Sequence, residues 1–373
     1  MNSGDVVIVG GGAVGCATAY FLSKAGAKVT VIEKNRIAYG ASGFAMGLLS
    51  PLYGLGIPGP LESLSLNGFL MHRNLAGELG DATGVDYHAH PRDSIYLSLT
   101  DDDEEGLKDI AAYSGNVDGV SYQWLTGAEL RSAEPRLTPA AERGMLVSGT
   151  WVLEADRYTE ALAGGAKLHG AAFMDRAVTG ISRRSTGGVV ETDQGAIEAD
   201  AVILAMGPWT GDAEKWLSVP VPVGPLKGQI LRMDVGEPAM TCSIHYDSNY
   251  AGHKADGLTW IGTTEERVGF DNEPTMEARR RIIREVGEFF PPALTGQVVR
   301  QTACLRPVAP DGLPVIGPVP GWEGVYLSTG AGRKGIILSP SMGRLTADMV
   351  LGRGDEAAIA AFSPARFSSI APC

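Results

Sequence analysis

The sequence predicts an α/β fold of two domains, and three observations support this prediction. The first is a strand, a glycine-rich turn, a helix and a second strand within residues 5–33. The second is a buried apolar run at 202–205 that leads straight into Gly207, as a parallel strand does at its carboxyl end. The third is a pair of strand-like segments, 217–234 and 241–262, in which prolines mark turns or sheet edges and indicate an antiparallel sheet.

The opening segment predicts a dinucleotide-binding site. Gly10, Gly12 and Gly15 form the G-x-G-x-x-G pattern between a β-branched strand and a helix. In that order they permit a sharp turn, the approach of a pyrophosphate and close packing of helix on strand. The helix N-terminus then presents free N–H groups and a partial positive charge to the phosphates. Glu33 ends the second strand, where an acidic side chain can accept a hydrogen bond from a ribose hydroxyl.

Length and composition fit a globular protein. The chain has 373 residues, of which 44% are hydrophobic and 20% charged, enough for two domains or one large composite. A net charge of −12 argues against a nucleic-acid partner. The first strand begins at Asp5, which leaves no room for a signal peptide, and no apolar run reaches the length of a membrane span. Cys16, Cys242, Cys304 and Cys373 lack metal or redox spacing, so we expect a reducing, cytoplasmic location.

The remaining elements follow from periodicity and capping signals. Helices are expected at 62–80, 107–113, 126–134, 149–170 and 276–290, and strands at 86–99, 172–181 and 188–192. The acidic run 101–105 is expected to be a solvated helix start or loop. The closing segment repeats the opening logic, with a strand at 325–328, a glycine turn and a helix at 339–351. The nucleotide-binding domain is therefore predicted to be discontinuous (1–84, 145–215 and 305–373), with a substrate-binding domain at 85–144 and 216–304.

Five motifs occur in a fixed order along the chain: GGGAVG followed by Glu33, then ASGFAMGLLSP, DAVILAMGPWTG, LRPVAPDGLPVIGP and GAGRKGIILSP. Together they resemble the amino-acid and amine flavoenzymes, the family of glycine oxidase, D-amino-acid oxidase and dehydrogenase, and sarcosine oxidase. The resemblance implies FAD, a discontinuous Rossmann-like FAD-binding domain, and a substrate domain with a mixed, largely antiparallel sheet and helices. It also implies oxidation of a carbon–nitrogen bond of an amino acid or related amine. Hydride would pass to flavin N5, the imine would hydrolyse, and oxygen or another acceptor would take the electrons.

The resemblance also implies which residues contact the cofactor. Most belong to the five motifs, and the full set is Gly10, Gly12, Ala13, Val14, Gly15, Glu33, Lys34, Ala41, Ser42, Gly47, Leu48, Val178, Gly207, Trp209, Gly330, Gly332, Arg333, Lys334, Gly335 and Ile336.

Four residues match family positions at the substrate. Arg306 matches the substrate-binding arginine, and its planar guanidinium can bind a carboxylate through two parallel hydrogen bonds. Tyr250 matches a tyrosine that lies over the substrate, and Leu48 an apolar contact residue. The Arg333 position faces the substrate in glycine-oxidase-like members, whereas sarcosine-oxidase-like members carry a lysine at the Lys334 position. Which of these two residues points toward the substrate stays open. Purely structural roles also stay open: an arginine between domains for Arg306, a core tyrosine for Tyr250 and apolar packing for Leu48.

Cofactor attachment and electron acceptor are separate questions. Cys304 aligns with a cysteine that bonds the flavin in sarcosine-oxidase-like members, but buried cysteines are commonly inert. We expect non-covalent FAD, with a bond through Cys304 as the alternative. The stretch 257–264 lacks the oxygen-activating lysine of sarcosine-oxidase-like enzymes, so oxidase and dehydrogenase both stay open. The histidines show no metal-ligand spacing and are interpreted as structural.

Two other functions compete with amine oxidation. A 2-hydroxy-acid dehydrogenase would use the same arginine but would need a base, typically histidine, for the hydroxyl group. A flavin-binding subunit of a heteromeric complex would be active only with its partners. Side-chain preference, stereochemistry and oligomeric state depend on pocket shape and surface, which the sequence alone does not define.

Overall fold

The computed structural model describes residues 5–52, 57–114 and 117–369; Cys373 lies outside these ranges. The strands of the described chain are β1 (Asp5–Val9), β2 (Lys28–Glu33), β3 (Leu48–Leu49), β4 (His90–Pro91), β5 (Ser94–Ser98), β6 (Ser121–Thr126), β7 (Arg143–Ser148), β8 (Trp151–Val152), β9 (Ala172–Asp175), β10 (Val178–Arg183), β11 (Gly188–Thr192), β12 (Gly195–Ala199), β13 (Ala201–Leu204), β14 (Gly224–Asp234), β15 (Ser243–Tyr246), β16 (Asn249–His253), β17 (Thr259–Gly262), β18 (Gln297–Val308), β19 (Val315–Pro318) and β20 (Val325–Thr329). The α-helices are α1 (Ala13–Lys24), α2 (Glu62–Thr83), α3 (Asp101–Ser114), α4 (Gly127–Ala133), α5 (Ala155–Leu168), α6 (Glu214–Leu217), α7 (Met276–Phe289), α8 (Pro292–Thr295), α9 (Gly335–Val350) and α10 (Glu356–Ile359).

A six-stranded sheet carries both glycine turns. Its strand order is β19-β20-β13-β1-β2-β9, and all neighbours are parallel except β19, which runs antiparallel to β20. The carboxyl ends of β1, β13 and β20 therefore meet at one edge, where parallel sheets place ligands. Helices α1, α5 and α9 pack together beside this sheet, and their apolar faces form one core with strand residues such as Ile8 and Ile203.

An eight-stranded sheet forms the second part of the molecule. Its order is β18-β14-β17-β16-β15-β5-β7-β6, and every neighbouring pair is antiparallel except β15 with β5. Helix α7 contacts β14, β16 and β17 and buries Ile282, Val286 and Phe289 in a core that includes Leu231 and Ile261. This mixed, largely antiparallel sheet beside a parallel one confirms the predicted α/β fold class.

Two small sheets complete the architecture. One is the meander β10-β11-β12, and the other is β3-β8-β4. Strand β3 is made by Leu48 and Leu49, so the glycine-rich loop after β2 is tied to β8 by strand pairing. No helix among the described residues is long and apolar enough to cross a bilayer.

Three element boundaries differ from the sequence prediction. Leu217 ends α6 instead of starting a strand, and β14 begins only at Gly224, because Pro220 and Pro222 cannot donate ladder hydrogen bonds. Residues 151–152 form a strand, so the helix expected from residue 149 begins at Ala155. The closing helix starts at Gly335, four residues earlier than expected, and carries Pro340 inside it.

The acidic run and the domain boundaries are the remaining points of comparison. Helix α3 begins at Asp101, so the acidic run is a helix start, where negative side chains suit the helix dipole. The predicted limits at 145 and 305 fall inside β7 and β18, and both strands lie entirely in the eight-stranded sheet. The division into domains stays a prediction.

Candidate active site

The first glycine turn is held by contacts that exclude a side chain at two of its three glycines. Gly10 has φ +113°, and a Cβ there would lie 2.3 Å from the Ala205 carbonyl oxygen at the end of β13. A Cβ on Gly15 would lie 2.0 Å from the Gly10 carbonyl oxygen, so α1 packs directly against the turn. Gly12 is the N-cap of α1 and has no side chain to cap it. The turn therefore places the N-terminus of α1, with its partial positive charge, directly after β1, where a pyrophosphate can bind.

Glu33 and Ser42 frame this turn from the two segments that follow it. The two carboxylate oxygens of Glu33 accept hydrogen bonds from the N–H groups of Gly11, at 2.8 Å, and of Asn35, at 2.9 Å. Each oxygen retains acceptor capacity for a ribose hydroxyl. The Ser42 hydroxyl accepts from the Ala13 N–H at 3.0 Å, and thus lies at the N-terminus of α1, where phosphates bind.

The ends of β13 and β20 form the neighbouring part of the same edge. Gly207 follows β13 with φ +58°, and its carbonyl accepts from the hydroxyls of Thr210, at 2.7 Å, and Thr329, at 3.1 Å. Gly330 and Gly332 follow β20 with φ +78° and +53°. They bring the chain into α9 at Gly335, so a second helix N-terminus opens at this edge.

The other predicted cofactor residues belong to several separate elements. Lys34 places its ammonium 5.2 Å from the centre of the Trp209 ring, and Trp209 stacks on Phe270. Gly47 has φ +76°, and a Cβ there would lie 2.0 Å from the Leu153 carbonyl oxygen. Val178 begins β10 and packs at the edge of the second apolar core. Ala41 lies in the 3₁₀ turn that carries Ser42, Val14 is in the first turn of α1, and Ile336 is buried in α9.

Arg333 and Lys334 point to different parts of the site. Arg333 donates from Nη2 to the Ser248 carbonyl at 2.9 Å and lies 3.5 Å from Glu265, both in the eight-stranded sheet or its loops. Lys334 directs its ammonium to the Ser50 carbonyl, 3.4 Å away in the glycine-rich loop. Burial, and then the charge of Arg333, lower the pKa of Lys334 to about 8. Arg333 thus points toward the eight-stranded sheet, and Lys334 points toward the glycine-rich loop after β2.

One row of paired residues crosses the eight-stranded sheet at this point. Tyr96, His245, Tyr250 and Gly262 are successive register partners on β5, β15, β16 and β17. The His245 ring stacks on Tyr96 with centroids 4.6 Å apart, and lies 6.5 Å from the Tyr250 ring. Paired residues project on the same face of a sheet, so these rings form one aromatic wall.

Arg306 projects from β18 and is held in a fixed orientation. Its guanidinium donates to the Thr264 carbonyl at 3.0 Å and to the Thr263 hydroxyl at 2.8 Å. It lies against Gly228 of β14, where a Cβ would be 2.1 Å from Nη2. The residue is only 8% exposed, and its remaining N–H donors suit a carboxylate.

Tyr250 and Leu48 meet in a small apolar cluster where the eight-stranded sheet contacts the glycine-rich loop. Tyr250 packs with Met46, Ile230 and Trp260, and Leu48 joins the same cluster from the glycine-rich loop. Burial raises the pKa of the Tyr250 phenol, although Arg306 and Arg333 act in the opposite direction. The hydroxyl therefore stays protonated and can donate a hydrogen bond to an anion.

Lys254 ties the eight-stranded sheet to the glycine-rich loop at this cluster. Its ammonium donates to the carbonyls of Met46, at 2.8 Å, and Leu153, at 2.6 Å, and pairs with Glu154 at 3.2 Å. Burial lowers the pKa of Lys254, while Glu154 raises it. The contact joins β16 to the glycine-rich loop and to the start of α5, and so sets the distance between the two parts of the site.

Sequence reasoning missed Glu265 and the position of His245. Glu265 lies 3.9 Å from Arg306 and 3.5 Å from Arg333, but in the sequence it is one of two consecutive acids in a polar loop. His245 was interpreted as structural, yet its ring belongs to the aromatic wall. A signal existed for it, because a tight turn at 247–248 makes residue 245 the partner of residue 250.

These features define the class of protein. The glycine turn, Glu33 and the N-terminus of α9 fit a dinucleotide cofactor, because a Cβ at Gly10 or Gly15 would clash with backbone oxygens and two helices begin at this edge. On the eight-stranded sheet, Arg306 and Tyr250 carry N–H and O–H donors of the kind that bind a carboxylate. The arrangement is that of a dinucleotide-dependent oxidoreductase with a substrate face on a second sheet.

The chain belongs to the FAD-dependent oxidoreductase family, whose model matches residues 5–349. It is 33% identical to a glycine oxidase of Pseudomonas aeruginosa, over 96% of this chain and 98% of that protein. It is 28% identical to a D-amino acid dehydrogenase of Methylobacterium nodulans, over 97% and 99% of the two chains. The crystal structure of glycine oxidase from Geobacillus kaustophilus superimposes with a TM-score of 0.90 at 29% identity, covering 96% and 98%. The predicted family and enzyme class are confirmed.

Proposed function

We propose that this protein uses FAD to oxidise the carbon–nitrogen bond of glycine or of another small amino acid or amine that carries one carboxylate. The predicted reaction class is borne out by its relatives, which are named as glycine oxidases and D-amino acid dehydrogenases. When bound, FAD supplies a flavin ring that accepts hydride from the carbon next to nitrogen. The single observation that carries the choice of substrate is Arg306, buried and oriented beside Tyr250.

The roles of the residues follow from their positions. Arg306 binds the substrate carboxylate, because Thr263 and Thr264 already hold its guanidinium and little entropy is lost on binding. Tyr250 donates its hydroxyl to the same carboxylate. The wall formed with Tyr96 and His245 limits the size of the group on the α-carbon, which favours small substrates. A carboxylate held in this way fixes the α-carbon for hydride removal.

No side chain needs to act as a base if the amine binds unprotonated. The pH–rate profile should then report the ionisation of the substrate amine. His245 is the register partner of Tyr250 in the eight-stranded sheet. Burial, and then the charge of Arg333, lower the pKa of His245 to about 4. Its imidazole is therefore neutral at pH 7 and forms part of the wall.

FAD is bound without a covalent link in this proposal. Cys304 lies on β18 opposite Gly228, and burial raises the pKa of its thiol, while Arg306 acts in the opposite direction. A protonated thiol is a poor nucleophile. Acid precipitation of the yellow protein should release the flavin into the supernatant. Flavin retained in the wild-type pellet but released from Cys304→Ser would establish a bond to Cys304 and overturn this part of the proposal.

The first experiment is anaerobic bleaching of the bound flavin, followed in the visible spectrum. The compounds are glycine, sarcosine, proline, D- and L-amino acids and 2-hydroxyglutarate. Bleaching by a small amine supports the proposal, and bleaching by the hydroxy acid alone would overturn it. Admission of air afterwards assigns the acceptor, because rapid recovery of colour marks an oxidase and slow recovery a dehydrogenase.

A second candidate, oxidation of a 2-hydroxy acid, is favoured by one observation. The Nε2 atom of His245 is buried without a hydrogen-bond partner among the described residues, and a neutral imidazole could take the proton of a hydroxyl group. The same bleaching experiment separates the two candidates. A protein that bleaches with no compound tested would instead support a subunit that needs its partners.

A further inference from the structure

Glu265 lies between the two arginines of the substrate side. One of its carboxylate oxygens, Oε1, is 3.5 Å from Nη1 of Arg333 and 3.9 Å from Nη1 of Arg306. The Glu265 side chain is 45% exposed, whereas the Arg306 side chain is 10% exposed. The carboxylate therefore reaches from the mouth of the site toward the buried guanidinium.

The neighbouring acid, Glu266, makes different contacts, so not every carboxylate of this loop lies beside the arginines. Glu266 accepts hydrogen bonds from Gln229, at 2.9 Å, and from the Thr264 hydroxyl, and its backbone pairs with Lys227. Those contacts hold the loop to β14. Glu265 makes its charged contacts with the two arginines instead, so its carboxylate acts on the substrate side.

The two arginines and Glu265 together carry a net charge of +1. Arg306 and Arg333 are always positive, and Glu265 contributes one negative charge beside both of them. Lys334, the next cation along the chain, directs its ammonium to the Ser50 carbonyl on the cofactor side. A substrate with one carboxylate completes the balance, whereas a second carboxylate would lie close to Glu265 and be repelled.

We propose that Glu265 is a specificity-determining residue that selects substrates with one carboxylate and rejects those with two. The inference rests on the proposed function, since it assumes that Arg306 binds the substrate carboxylate. Glu265 occupies the second arginine and so removes the site at which a distal carboxylate would bind. A second substrate carboxylate close to that of Glu265 would be repelled even though Glu265 is half-exposed, and solvent would weaken the repulsion.

The test uses the FAD-loaded protein and two anions that cannot be oxidised. Acetate and malonate are titrated separately, and their dissociation constants are read from the change in the flavin spectrum. The quantity of interest is the ratio of the malonate to the acetate constant. In Glu265→Gln this ratio should fall by on the order of tenfold, because the dianion gains more from the lost negative charge than the monoanion does.

Two variants serve as controls. Glu265→Asp keeps the charge and should keep the ratio within about threefold, which separates charge from shape. Glu273→Gln removes a negative charge from an exposed residue of the same loop and should leave the ratio unchanged. An unchanged ratio in Glu265→Gln, or an equal fall in Glu273→Gln, would overturn the inference.

The anion titration is independent of turnover, so it distinguishes this inference from the proposed function. If the ratio falls as expected while no amine bleaches the flavin, Glu265 still governs anion selection and only the reaction is wrong. If glycine bleaches the flavin while the ratio is unchanged, the function stands and the role of Glu265 is wrong. Failure of both anions to perturb the wild-type spectrum would also count against the inference.

Discussion

The two halves of the candidate site are built in different ways. The centre of the cofactor half is the short backbone turn at residues 10–15, where Gly10 and Gly15 have no space for a Cβ. The substrate half is made by side chains from strands far apart in the chain, with Arg306 on β18 and Tyr250 on β16. The glycine turn is encoded locally and has no space for a Cβ at Gly10 or Gly15. The substrate half depends on how strands pair and can change one residue at a time.

The most extensive change is expected from adding one methyl group to the cofactor half, because the protein should lose both its FAD and part of its stability. Gly15→Ala would place Cβ against the Gly10 carbonyl oxygen, so α1 must move away from the turn. We expect protein without bound FAD and a free energy of unfolding lower by about 3 kcal/mol. Gly77→Ala is the control, because a Cβ there meets nothing within 4 Å and should be neutral or slightly stabilising. If Gly15→Ala bound FAD and unfolded with the same free energy as the wild type, the cofactor half would not be as sensitive to added atoms as this comparison states.

Loss of a side chain in the substrate half should leave the cofactor half intact. Arg306→Ala removes the buried guanidinium, so kcat/KM should fall by an amount equal to about 2–5 kcal/mol, with FAD retained. Arg300→Ala is the matched control, since Arg300 is exposed on the same strand. The measurement is steady-state kinetics with the amine that bleaches the flavin. Unchanged kinetics in Arg306→Ala would remove this residue from the site.

Each half contains a buried histidine, and the one in the cofactor half should govern stability. His72 of α2 donates from Nε2 to the Ile336 carbonyl in α9 at 2.8 Å, and burial lowers its pKa to about 4. The unfolded chain, with an ordinary pKa near 6.5, binds more protons between pH 6.5 and 4. The stability contributed by neutral His72 is therefore present above pH 6.5 and is lost as the pH falls toward 4.

The measurement compares denaturant unfolding at pH 7 and pH 5. The loss of unfolding free energy over this interval should be smaller in His72→Gln than in the wild type by about 2 kcal/mol. The exposed His90 provides the control, because its replacement by glutamine should leave the loss unchanged. An equal loss in His72→Gln and wild type would mean that His72 does not carry this pH dependence.

The smallest effect is expected for the histidine of the substrate half. His245→Ala removes part of the aromatic wall but no donor to the substrate, so kcat/KM for amine oxidation should change by less than about 1.4 kcal/mol, which is tenfold. An inactive variant that still binds FAD would show that His245 takes part in the chemistry. That outcome would favour the 2-hydroxy-acid candidate.

The same contrast explains what the sequence could predict. The strand, turn and helix at residues 5–24 could be located because each depends on neighbours in the chain. Arg306 could be proposed as a substrate ligand through its motif, and that role stays a prediction. Glu265 was missed because only the pairing of β14 with β17 and β18 brings its loop beside Arg306, and such pairing is not visible in local periodicity. The strand predicted from Leu217 was wrong because the prolines delay pairing until Gly224.

The Lys254 contact makes the two halves poor candidates for exchange between relatives. A chimera that takes its eight-stranded sheet from another member brings that member's residue to position 254. A shorter or neutral residue there would deprive the carbonyls of Met46 and Leu153 of a buried donor and leave Glu154 without its cation. Each orphaned polar group costs about 1–3 kcal/mol. A chimera of this kind would therefore succeed only when Lys254 and the glycine-rich loop that it contacts come from the same parent.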